Sequence, residues 1–281
     1  MSNKKNKKNS AAIAAQADES SLIGKRRSFA ISEAHKRLRT NVLFSLPDES
    51  ECRVIGVTSA MAHEGKSTTS MNLAYDLAQA GKKVLLLDAD MRLSRVAKHL
   101  EVNRAPGLSN MLVGEDIIKE LVQHSPKLDN LSVITCGEIP PNPTELLASK
   151  RMEALIEALK KTYKYIIIDC PPISAVSDAL IISKLTDGMI IVARQDYVDR
   201  RLLDDAVRQL KLNDANIIGF VMNCAQRENK YYNRKYKYKY KKYGYGYGYG
   251  YGYGYGYGYG YGYGKKPELG VNKDENEESA Q

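Results

Sequence analysis

The sequence predicts an α/β protein, a mostly parallel twisted sheet with helices on both faces, and two observations carry that prediction. Short apolar runs recur at 54–57, 84–87, 131–134, 165–168, 189–193 and 217–222, with no polar side to show, as strands buried on both faces require. Helical patterns lie between most of them, among them 68–80, 144–161 and 200–212. Strands alternating with helices read as βαβ units, whose ligands bind at the carboxyl ends of the strands.

Residues 1–27 carry a net charge of +5 and few aromatic residues. Such a segment cannot bury enough surface to order itself, so it is read as a disordered basic N-terminal segment. From Ser32 to about Phe44 the pattern turns amphipathic, with Ser32 as cap, Glu33 in the first turn, and Ala34, Leu38, Val42 and Leu43 near helical spacing. Residues 28–226 read as one globular domain of net charge −1. After Arg227, Tyr and Lys alternate to Lys242, Tyr-Gly pairs fill 243–264 and an acidic end follows. Residues 227–281 are therefore a flexible tyrosine-rich tail and not a second domain.

The total charge of +9 thus sits outside the core. A nucleic-acid binder more often carries its basic residues on the folded domain, and no specific nucleic-acid partner is expected. Cys52, Cys136, Cys170 and Cys224 form no Cys-x-x-Cys pair, which disfavours a zinc site, a redox motif or a disulfide framework and fits a reducing cytoplasm. No apolar run is long enough to span a membrane, and the polar N-terminus does not read as a signal peptide.

Chemistry enters at residues 56–68, Gly-Val-Thr-Ser-Ala-Met-Ala-His-Glu-Gly-Lys-Ser-Thr, which follow the first strand and open a helix. That is the context of a phosphate-binding loop, whose backbone N–H groups and helix N-terminus hold phosphates. Gly65 lets the backbone approach, Lys66 reaches the β- and γ-phosphates, the Ser67 hydroxyl ligates Mg²⁺, and Thr68 flanks the site. Ala60 stands where the usual pattern has its first glycine.

Two acidic strand ends support the loop. The run 84–87 ends in Asp88-Ala-Asp90-Met-Arg92, where spacing of two in extended chain points both carboxylates the same way. The run 165–168 ends in Asp169-Cys-Pro-Pro, read as a Walker B aspartate. Three carboxylates gathered at strand ends repel one another, and Mg²⁺ with a nucleotide relieves the conflict.

The phosphate loop, the Asp-x-Asp motif and the short Walker B aspartate together resemble the bacterial tyrosine kinases, over roughly residues 29–226. Residues 33–41, 106–109 and 137–147 resemble recurring segments of that family, the last most distinctively. The resemblance implies a P-loop NTPase fold and the cofactors ATP and Mg²⁺. Ala62, His63, Glu64, Gly65, Lys66, Ser67 and Thr68 would line the phosphates, and Asn223 stands where related proteins contact adenine. Ser67, Asp90 and Asp169 would hold Mg²⁺, the carboxylates through waters, and Asp88 would accept or orient the tyrosine proton. Arg92 would stabilise charge during transfer or salt-bridge the acidic cluster, and Asp178 reads as a helix cap.

In that family a Glu-x-x-Arg-x-x-Arg helix builds contacts within a ring of subunits; here the positions are Glu33, Lys36 and Arg39. Lys36 lacks the planar fork of arginine, so the neighbouring Arg37 is an alternative partner. The resemblance further implies a separate transmembrane activator, or chain-length regulator, that recruits a cytoplasmic kinase to the inner face of the membrane. It also implies a phosphotyrosine phosphatase, and control of capsular or extracellular polysaccharide synthesis and export. Partitioning ATPases have a similar core but carry a signature lysine early in the loop, where this chain has Met61. A nucleotide-switched positioning ATPase is the alternative reading.

Sixteen of the twenty tyrosines lie between Tyr231 and Tyr263, a concentration that no core requires. Glycine alternation weakens a strand and leaves the phenols accessible. Tyr243, Tyr245, Tyr247, Tyr249, Tyr251, Tyr253, Tyr255, Tyr257, Tyr259, Tyr261 and Tyr263 are the expected phosphoacceptors. Each phosphate adds about −1.5 to −2 charge, enough to turn the basic tail acidic and to weaken a ring.

Overall fold

A computed structural model describes residues 29–46, 51–114, 118–125 and 128–225. The readings made for 1–27 and 227–281, including the eleven repeat tyrosines, lie outside the described residues.

The elements in chain order are α1 (Phe29–Ser45), β1 (Arg53–Ser59), α2 (Lys66–Gln79), β2 (Val84–Asp88), α3 (Val96–Leu100), α4 (Leu108–Val113), α5 (Ile118–Leu121) and β3 (Gln123–His124). They continue with β4 (Leu131–Ile134), α6 (Pro143–Leu147), α7 (Lys150–Lys160), β5 (Tyr165–Asp169), α8 (Asp178–Ser183), β6 (Gly188–Arg194), α9 (Arg200–Leu212) and β7 (Ile217–Asn223). The sheet order is β3-β4-β2-β5-β1-β6-β7. Every pair is parallel except β3 with β4. The predicted fold class is the observed one.

Alternation along the strands feeds two separate cores. Val54, Leu85, Leu87, Ile166, Ile168 and Ile191 pack with Leu112, Met152, Ile156, Ile182 and Leu210 of α4, α7, α8 and α9. Ile55, Val57, Leu86, Ile167, Ile190 and Val192 pack with Val42, Met71, Leu77 and Leu100 of α1, α2 and α3. Both side-chain rows are apolar because both faces are covered, which is why the strands read as unbroken apolar runs.

The structure corrects four readings. The run at 217–222 is the sheet's edge and not a strand buried on both faces, with Phe220 56% and Met222 57% exposed; strand order decides this, and an apolar run does not encode it. The pattern at 144–161 is two helices, because the Ser149 hydroxyl accepts the Met152 N–H (3.3 Å) and caps the second. Helix α1 begins at Phe29, so Ser32 is an interior residue and not its cap, and no acidic residue lies in the first turn; Phe-Ala-Ile sustains an extra turn ahead of the serine. Asp90 lies beyond the end of β2, where its N–H turns back to Asp88 Oδ1 (3.2 Å), so the two carboxylates do not share an extended strand.

Candidate active site

The loop between β1 and α2 is shaped by its own side chains. Glu64, fully buried, turns its carboxylate inward to accept the N–H groups of Met61 (2.6 Å) and Arg194 (3.3 Å). The Ser59 hydroxyl donates to Met61 O (2.6 Å). His63 at φ 65 and Gly65 at φ 93 curl the chain into the helix. The Asn223 carboxamide donates to Glu64 O (2.9 Å) and accepts the Cys224 N–H (2.8 Å), tying β7 to the loop. Helix α2 has no side-chain cap, so its first N–H groups suit an anion.

Gly65 is required twice over. A Cβ there would sit 2.0 Å from Asn223 Nδ2, forcing the amide to abandon Glu64, and its positive φ strains any L side chain. Gly65→Ala is expected to destabilise the fold by about 1–3 kcal/mol and to weaken ATP binding. Denaturant titration and nucleotide calorimetry check this; unchanged ATP affinity would contradict it.

Lys66 is buried and its Nζ lies 2.7 Å from Asp90 Oδ2, with the Ser67 hydroxyl at 3.3 Å. Leu93 N–H occupies the other Asp90 oxygen (3.0 Å). Asp88 and Asp169 stand in register on adjacent strands, both with no exposed surface. Asp88 is held by the Ser94 hydroxyl and the Asp90 N–H. Ser70 donates to Asp169 Oδ1 (3.1 Å), while Asp169 Oδ2 is buried without a hydrogen-bond partner.

Burial, reinforced by Asp169, pushes the Asp88 carboxyl up to about 8, and burial also raises Asp169 above the ordinary carboxylate range. A carboxyl raised in the fold stabilises it while protonated. That contribution is fully present below the unfolded value and is lost as pH rises through the folded one. Without divalent cations, the urea midpoint is therefore expected to fall between about pH 5 and pH 8. A midpoint that climbs over that interval would refute the assignment.

The donor set fits a divalent cation: an orphaned buried oxygen on Asp169, a second carboxylate in Asp90 and the Ser67 hydroxyl. Among the described residues no three acidic, histidine or cysteine side chains form a metal cage by themselves, and Mg²⁺ needs none, since it keeps waters and takes phosphate oxygens.

Arg92 does not reach the acidic cluster. Its Nε donates to Asp178 Oδ2 (3.2 Å) and its Nη2 to the Thr144 hydroxyl (3.1 Å). Thr144 in turn donates to Asp178 Oδ1 (2.7 Å). Asp178 is the first residue of α8, behind the N-cap Ser177, and is fully buried; with both oxygens taken by Arg92 and Thr144 it is not the cap the sequence suggested. Nothing in sequence spacing announces this cluster, or the roles of Ser70 and Ser94.

Ala62, Ser67 and Thr68 are half-buried and His63 is exposed along the same loop. The segments 106–109 and 137–147 meet, Leu108 and Ser109 N–H bonding to Thr135 O (2.8 Å) and Cys136 O (3.0 Å), with Gly107 against Gly137. On α1, Glu33 pairs with Lys36 within the helix (2.9 Å), Arg39 donates to Asp76 O of α2 (3.2 Å), and Arg37 is exposed. A cavity of about 410 Å³ lined by Glu153, Ile156, Lys160 and Asp187, beside the amino end of β6, includes none of Asp88, Asp90 and Asp169 in its lining.

Fold and loop together define a P-loop nucleotide-binding protein of the α/β class. The family pattern of an AAA domain matches residues 52–212. The chain is 38% identical over 192 residues to the tyrosine-protein kinase CpsD of Streptococcus agalactiae, covering 68% of this chain and 81% of the relative. It is 37% identical over 208 residues to the tyrosine-protein kinase YwqD of Bacillus subtilis, covering 73% and 87%. The kinase domain of the Escherichia coli tyrosine kinase ETK superposes with a TM-score of 0.65 at 33% identity, covering 71% of this chain and 79% of that one. The chain belongs to the bacterial tyrosine-protein kinase family, and the enzyme class read from the sequence is the one its relatives carry.

Among the described residues no helix is long and apolar enough to cross a membrane.

Proposed function

We propose that the protein is an ATP-dependent tyrosine autokinase whose substrates are the tyrosines of its own 227–281 segment. The observation that carries this reading is the convergence of Lys66, Asp88, Asp90 and Asp169, all buried, at the carboxyl ends of β2 and β5 and the start of α2. Loop N–H groups and Lys66 hold the triphosphate. Ser67, Asp90 and Asp169 would hold Mg²⁺, which when bound neutralises charge on the phosphates. The tyrosine oxygen attacks the γ-phosphorus, its proton passes to Asp88, and the bond to the ADP oxygen breaks. A carboxyl raised towards 8 is better matched to a phenol proton than an ordinary one.

The family supports the rest of the reading. The kinase is cytoplasmic, assembles through the α1 face of Glu33, Lys36 and Arg39 into a ring, and is brought to the inner face of the membrane by a separate transmembrane activator. A phosphotyrosine phosphatase hydrolyses the phosphotyrosines back to tyrosine and inorganic phosphate, and the cycle regulates capsular or extracellular polysaccharide synthesis and export.

Intact mass of the full chain after incubation with MgATP tests the core of this proposal. Steps of about 80 Da per phosphate are expected, mapping to the residues between Tyr231 and Tyr263 and lost when those tyrosines are replaced by phenylalanine. ATP hydrolysis with unchanged mass would favour the switch ATPase.

A further inference from the structure

The turn that follows β2 carries the contacts that orient two catalytic carboxylates. Leu93 N–H bonds to Asp90, and the Ser94 hydroxyl bonds to Asp88. Arg92 lies in the same turn, and its bonds run outwards, to Asp178 at the start of α8 and to Thr144 in the first turn of α6. The three side chains close a ring, since Thr144 also donates to Asp178 (2.7 Å).

The arrangement is specific to these residue types. A carboxylate with no exposed surface is strongly disfavoured unless it is paired and its oxygens are satisfied. Asp178 meets that condition only because Arg92 supplies the cation and Thr144 the second hydrogen bond. Arginine is needed because two nitrogens of one rigid fork reach two different partners, which a lysine ammonium does not reproduce. The turn is thereby fastened to two helices on one face of the sheet, while the phosphate loop is fastened separately through Glu64 and Asn223.

We propose that Asp178 and Thr144 are positioning residues that act through Arg92 to hold the turn bearing Asp88 and Asp90 in the geometry of phosphoryl transfer. This assignment rests on the kinase reading for the identity of the acceptor, but the tether itself serves transfer to tyrosine or to water. Because the phosphate loop keeps its own supports in Glu64 and Asn223 but also meets the turn through Lys66 and Asp90, loosening the turn reduces turnover more than nucleotide affinity.

The test uses the full chain with MgATP, following ADP release, tyrosine phosphorylation by intact mass, and nucleotide affinity by calorimetry. Arg92→Lys and Asp178→Asn are each expected to lower kcat by about 10–100-fold, the scale set by small misplacements of reacting groups, with a smaller change in KM for ATP. The double variant is expected to be no slower than the worse single one, since both break one tether. Thr144→Val, which removes the hydroxyl, is expected to lower kcat in the same way, and Thr144→Ser, which keeps it, to restore activity. The threonine pair decides the matter where Asp178→Asn fails to fold. Unchanged kcat in all variants, strictly additive effects of Arg92→Lys and Asp178→Asn, or equal losses in Thr144→Ser and Thr144→Val would overturn the proposal. A wild-type chain that hydrolyses ATP without gaining mass would sink the kinase reading instead, and the variants' ADP release would still decide the tether.

Discussion

Lys66→Met is expected to reduce tyrosine phosphorylation by at least about 10²–10³-fold, the range found when one preorganised electrostatic donor is removed from a reacting centre. Among the described residues Lys66 is the cation bonded to the cluster of Asp88, Asp90 and Asp169, 2.7 Å from Asp90, and its charge opposes the burial that raises Asp169. Methionine fills much of the same volume and adds no charge. Two terms then act together: the phosphates lose their cation, and Asp90 loses the partner that offsets its burial. Both catalysis and ATP affinity should fall, seen as a lost mass gain and a weakened calorimetric signal. Stability should also fall, and a variant of wild-type activity would remove the phosphate loop from the mechanism.

Asp88→Asn is expected to lower kcat by about 10²–10⁴-fold, the usual contribution of a positioned general base, while leaving ATP affinity nearly intact. Asparagine keeps an oxygen for the Asp90 N–H, and its NH2 would stand where the second oxygen meets the Ser94 hydroxyl, which can accept instead of donate, so the turn is expected to survive. A variant that keeps most of its activity would assign proton acceptance to another group.

The strand runs, the loop at 56–68 and the strand-terminal aspartates were legible because they are local. A doubly buried strand must be apolar throughout, and a phosphate loop needs its glycine, lysine and hydroxyl side by side in sequence. Asp178 was misread because first-turn acidic residues usually serve a helix end; its partners stand 86 and 34 residues away. The edge position of β7, likewise, follows from crossovers and not from the composition of Ile217–Asn223.

What the sequence determined by itself was the class of fold, the nucleotide loop and the inventory of charged groups, since periodicity and motif spacing act within a few residues. Tertiary structure alone decided the pairings: Asp88 beside Asp169, Lys66 on Asp90, Glu64 turned inward beneath its own loop, and Arg92 anchored to two helices. The reason is energetic. A buried charge must find a partner wherever the chain crossings place one, and those crossings bring together residues that no local pattern connects.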